Sequence, residues 1–143
     1  MNSLADIFGE PIHVYTRAQA IADGVLVNVS SQAREAGFTI HTVVTATLMG
    51  QLSEGCEEAQ DHGVIAEYGR KPRDWYPALV KLALRVARKA VADTLKSGAR
   101  TDLIEASVDF CGDRGLGRVP FLVHIGPGDQ GEPVLTLMVE EDN

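Results

Sequence analysis

Between Asp102 and Val139 the chain alternates apolar and polar side chains with a period of two, which predicts three strands. Ile104, Ala106, Val108 and Phe110 fall on one face while Glu105, Ser107 and Asp109 fall on the other. That is the pattern of a strand with one side buried and one side wet. Residues 119–125 read as a second strand with Phe121, Val123 and Ile125 on one side, and residues 134–139 as a third with Leu135, Leu137 and Val139 inward. The links GDRGLGR and GPGDQGEP are dense in the residues that turns require. Three consecutive strands on such short links predict an antiparallel meander.

Upstream, the period lengthens to that of a helix. Trp75, Leu79, Leu82, Val86 and Ala90 recur on one side of a helix expected over residues 75–97. Lys81, Arg85, Arg88, Lys89 and Lys96 take the opposite side. Asp74 can cap its start, Pro77 is tolerated where the first-turn N–H groups lack intrahelical partners, and Ser97-Gly98 closes it. A second helix is expected over residues 42–60, with Val44, Leu48, Leu52 and Cys56 as its buried stripe. Its β-branched start, Gly50 and Gly55 weaken it. Nearer the N-terminus, Ile12, Val14 and Tyr15 predict a short strand, and Thr16 can cap a helical turn from Arg17 to Ala22 that Asp23-Gly24 ends. Val25, Val27 and Val29 alternate with Leu26 and Asn28, predicting a strand with one apolar face. SQAREAG then reads as a short helix capped by Ser30 or Ser31 and stopped by Gly37. The N-terminal strands are expected to extend the edge of the meander. The fold class is α+β: a mostly antiparallel sheet with a C-terminal three-strand meander, covered by one long and one or two shorter helices. It is read as a single domain over residues 1–143, with 1–5 and 140–143 the segments open to disorder.

Composition narrows the classes. A chain of 143 residues can bury a core without disulfides or metals, and 45% hydrophobic against 23% charged residues excludes general disorder. Cys56 and Cys111 stand in unrelated contexts. With no signal-peptide pattern, they are expected to be free thiols in a cytoplasmic protein. No apolar run approaches the length of a membrane span. A net charge of −7 disfavours nucleic acid as the partner, because a phosphate-backbone binder needs excess Lys and Arg. It fits plain solubility, or docking to a basic protein surface.

The runs IFGEPIHVYTRAQAIADGVLVNVS and IGPGDQGEPVLTLMVEED resemble a family of small plasmid and prophage proteins known as a domain of unknown function. The two ends of the chain carry the likeness far more than its middle does. It implies an origin on a mobile element and brings no catalytic residue with it.

Reactive chemistry is thinly represented. Of His13, His41, His62 and His124, only His62 has a companion at helical spacing, Glu58, with Glu57 and Asp61 nearby. No HExxH or CxxC pattern supplies further ligands, so no metal and no cofactor are expected. His13, Tyr15, Thr16 and Arg17, followed by Gly24, resemble the strand that opens an ADP-ribosyltransferase pocket, in which a later carboxylate such as Glu105 or Glu140 would polarise the ribose. That resemblance implies the alternative reading, a small ADP-ribosyltransferase-like or other nucleotide-binding enzyme built on the His13–Arg17 strand. The plainer reading puts Tyr15 in the core and makes Thr16 a cap. Cys111 has no base or positive field to form a thiolate, and GDRGLGR lacks the lysine and following helix of a phosphate cradle. The basic stripe Lys81, Arg85, Arg88, Lys89 and Lys96 is the remaining candidate. If the helices pack antiparallel, Glu54, Glu57, Glu58 and Asp61 could lie alongside Lys81, Arg85 and Arg88, at under about 1 kcal/mol per exposed pair. Read more sharply, it is a docking surface. The expected function is a non-catalytic protein-interaction module from a mobile element. Inhibition of a host defence system and homodimerisation are the forms that origin suggests.

Overall fold

The computed structural model describes residues 16–61, 72–110 and 118–142. The strand expected at Ile12–Tyr15, the inward side chain of Trp75, and Cys111 with most of the GDRGLGR turn lie outside the described residues. In chain order the elements are α1 (Arg17–Ala22), β1 (Leu26–Asn28), α2 (Ser30–Ala36), β2 (His41–Thr45), α3 (Ala46–Asp61), α4 (Pro72–Lys96), β3 (Leu103–Asp109), β4 (Arg118–Pro127) and β5 (Pro133–Met138). The five strands form one sheet in the order β1-β2-β5-β4-β3. β3, β4 and β5 are the expected antiparallel meander. β2 joins β5 in parallel, and β1 then pairs antiparallel with β2. The fold is thus α+β with a mostly antiparallel sheet.

The register makes the core legible. Ile104 pairs with Val123, Val123 with Leu137, Leu137 with Val44, and Val44 with Val27, so one row of side chains crosses all five strands. The first four are buried beneath the helices, together with Val108, Val119, Phe121 and Leu135. Leu48, Leu52 and Cys56 of α3 and Leu79, Ala83, Leu84 and Ala87 of α4 close this layer.

The cap expected at Ser30 or Ser31 is not formed, since Val29 is the N-cap of α2 without a side-chain cap bond. α4 begins at Pro72, which puts Asp74 inside it. Two larger expectations also need correction. The helix predicted from Thr42 begins only at Ala46, because Thr42, Val43, Val44 and Thr45 form β2. A run of β-branched side chains loses rotamer freedom in a helix and packs well on a pleated surface. Thr45 then starts the helix: its Oγ1 accepts the Leu48 N–H at 3.2 Å and donates to Asp142 Oδ2 at 2.8 Å. Asp142 belongs to a 3-10 turn, Glu140–Asp142, formed by the tail residues that the sequence left open to disorder. The second correction concerns α4. Its fully buried positions are Leu79, Ala83, Leu84 and Ala87, with Val80 nearly so. Leu82, Val86 and Ala90, placed inward by the sequence, are only partly buried at the margin. Ala83 and Ala87 let the helix backbone approach its neighbours closely, so the packed face centres on them rather than on the bulkier side chains.

The sheet's second face is wet at its margins, where Glu105 and Asp109 of β3, Arg118 and Pro120 of β4 and Asn28 of β1 are exposed. Across its centre, Val43, Leu122, Val134, Thr136 and Met138 are buried.

Candidate interaction site

The geometry of α2 is set at both ends. Ser30 Oγ accepts the Thr42 N–H at 3.0 Å, which ties the helix start to β2. At the other end Gly37 is the C-cap, with φ of 102°, a left-handed conformation that favours glycine. Glycine is needed there for a second reason: a Cβ at this position would collide with the Arg88 guanidinium. Arg88 Nη1 donates to the Ala36 carbonyl at 2.8 Å, satisfying an orphan acceptor in the last turn of α2. The sequence identified the basic side chain and the glycine, but not that one lies against the other.

This contact aligns α2 beside α4 and opens a groove of about 340 Å³, lined by Gln32, Glu35, Ala36, Lys81, Arg85 and Arg88. Lys81 Nζ lies 3.9 Å from Glu35 Oε2, and both side chains are more than half exposed, so water screens the pair. Arg85 has no hydrogen-bond or ion-pair partner among the described residues. Three of the five predicted basic residues therefore share one groove. Lys89 is set apart, tied to Asp93 Oδ2 at 3.1 Å, and Lys96 sits in the last turn of α4. The ion pair of Lys81 runs to α2, where the sequence had suggested the acidic end of α3.

Gln32 also borders a second, largely apolar groove of about 390 Å³. Val27 of β1, Val29 at the start of α2, Ala46 and Met49 of α3, and Pro77 and Val80 of α4 line it. Val25 and Val27 are 48% and 39% exposed. The alternation of valines was visible in the sequence; that this face would lie open beside a basic seam was not.

The alternative ligand pocket fares differently. His13 and Tyr15 lie outside the described residues. Arg17 crosses the second face of the sheet and donates from Nη2 to Thr136 Oγ1 at 2.9 Å. Burial lowers its pKa from the ordinary value, against the opposing pull of Asp129 and Glu132; an arginine keeps its charge regardless. The Asp129 carboxylate accepts the backbone N–H groups of Arg17 at 2.9 Å and Ala18 at 3.1 Å. Those two bonds hold Asp129 below the usual carboxylate range. Thr16 completes the helix start with a reciprocal capping box to Gln19. Arg17 thus fastens α1 to β5. Glu105 and Glu140, the carboxylates the enzyme reading would use, line a different groove with Ser107 and Arg118.

Cys56 is buried, and burial pushes its thiol up to about 11, which keeps it neutral and unreactive at physiological pH. Among the described residues, no three of His, Cys, Asp and Glu are grouped to hold a metal ion, and no helix is long and apolar enough to cross a membrane. His62 lies outside them. Compared with known proteins, the chain matches no family model, no curated protein and no solved structure.

Proposed function

We propose that this protein is a non-catalytic protein-interaction module of the cytoplasm, and that it binds through the seam between α2 and α4. One observation carries the reading: Lys81, Arg85 and Arg88 line a single groove, faced among the described residues by one carboxylate, Glu35, in a chain whose net charge is −7. Concentrated positive charge on an acidic molecule steers a complementary partner to one face. The likeness of the chain ends to plasmid and prophage proteins supplies the setting. In it, a host protein is the natural target, a defence component foremost, and a homodimer is the form in which such a module would present two seams.

The test uses the intact protein and its Arg85→Glu variant as baits in host extract, with light scattering on each. The expected result is a protein captured by the wild type and lost with the variant, at unchanged thermal stability. Equal capture by both, or a salt-sensitive shift of DNA without any captured protein, would overturn the reading.

A further inference from the structure

The basic groove and the apolar groove share Gln32 of α2 and both run along α4, Pro77 and Val80 lining one and Lys81, Arg85 and Arg88 the other, so the two meet as one seam. We propose that the occupant of this seam is an extended acidic segment of a partner protein, anchored at one end by a large apolar side chain. This deepens the interaction reading above and rests on it.

Three features set the chemistry. The apolar end, about 390 Å³, has the size of a small ligand pocket and accepts one bulky apolar group. The basic end presents Lys81, Arg85 and Arg88 at i, i+4 and i+7, on one side of α4. With Arg88 held partly by the Ala36 carbonyl and Lys81 only loosely by Glu35, Arg85 is the strongest free cation of the three. Dimensions set the conformation. From Pro77 to Arg88 the helix rises about 16 Å at 1.5 Å per residue. An extended chain covers that distance with about five residues. In such a chain every second side chain points the same way, at a repeat of about 6.6 Å. The axial step from Lys81 to Arg85 is about 6 Å. Carboxylates at alternate positions therefore meet successive cations. A nucleic-acid strand would satisfy the cations, but among the described residues the apolar end offers no aromatic side chain on which a base could stack.

The probe is a labelled hexapeptide beginning with leucine, with glutamates at its third and fifth positions and glycines between. It is titrated into the isotopically labelled full-length protein while amide shifts are followed by NMR. The expected result is displacement of the Val27, Met49 and Val80 amides together with those of Lys81, Arg85 and Arg88. Affinity should fall at least tenfold when the leucine becomes glycine, when both glutamates become glutamine, in Val27→Ser, and in Arg85→Glu. Equal binding of the peptide without leucine, or displacement by oligothymidine alone, would overturn the acidic-anchor proposal. So would shifts that arise from self-association in the absence of peptide. If Arg85→Glu abolishes capture from host extract while no peptide binds, the partner chemistry is wrong and the interaction reading stands. If Arg85→Glu changes neither capture nor peptide binding, both fall.

Discussion

Val27 and Leu137 belong to the same cross-strand row, on the same face of the same sheet, yet their surroundings are opposite. Leu137 is fully buried and Val27 is 39% exposed. The difference lies in what the helices reach. α4 packs on β3 and on its neighbouring helices, and α3 lies over β2, β4 and β5, so four of the five strands are roofed. β1 sits at the sheet edge, where α3 and α4 flank Val27 without covering it, and the row ends in a groove. An apolar position at the end of a row is therefore surface available for binding, while an apolar position two strands away is core. Exposed apolar surface beside concentrated charge is the usual composition of a recognition site.

The largest expected effect tests this contrast directly. Leu137→Ala should cost about 2–5 kcal/mol by lost burial and cavity formation, whereas Val27→Ser should cost under about 0.5 kcal/mol, as surface changes do. Urea denaturation of the two variants measures both, and similar costs would mean that β1 is roofed after all. A smaller effect is expected at the junction of α2 and α4. Gly37→Ala forces a side chain into left-handed backbone, at about 1–2 kcal/mol, and pushes the Arg88 guanidinium off the Ala36 carbonyl. A melt matching wild type would show that Arg88 does not set the seam. The smallest effect concerns the opposite face, where Asp129 holds the start of α1. Its folded pKa lies below the ordinary 3.8. The stabilisation is therefore present above pH 3.8 and is lost as pH falls through the folded value. The Arg17 and Ala18 amide shifts should titrate with a midpoint below 3.8, and a midpoint at or above it would remove the cap.

Much of this architecture could be read in advance. The alternation in residues 102–110 specified β3 and its inward side chains, because a period of two on a one-sided strand admits a single facing, and the short links specified the meander. That β5 is buried on both faces was not legible in the pattern. Thr16 and Gly37 announced the ends of α1 and α2, since capping depends on local residue type. The β2 segment was harder. HTVVT runs directly into a helical stripe, and Val44, Leu48 and Leu52 keep a four-residue spacing across the junction. Only pairing with β1 and β5 makes the first part of that run extended. The facing of α4 was missed by a fraction of a turn, because two alanines carry little hydrophobic weight in a pattern and much in close packing.

The same division holds for the candidate site. Lys81, Arg85 and Arg88 on one side of a helix, and valines on alternate positions of a strand, follow from helical and strand periodicity, which the chain encodes within a few residues. That α2 should lie against α4, that the helices should flank Val27 without covering it, and that Gln32 should join an apolar groove to a basic one depend on contacts between segments some fifty residues apart. Local sequence carries periodicity because dihedral preferences act between neighbours. Which faces meet is decided by the packing of the whole chain.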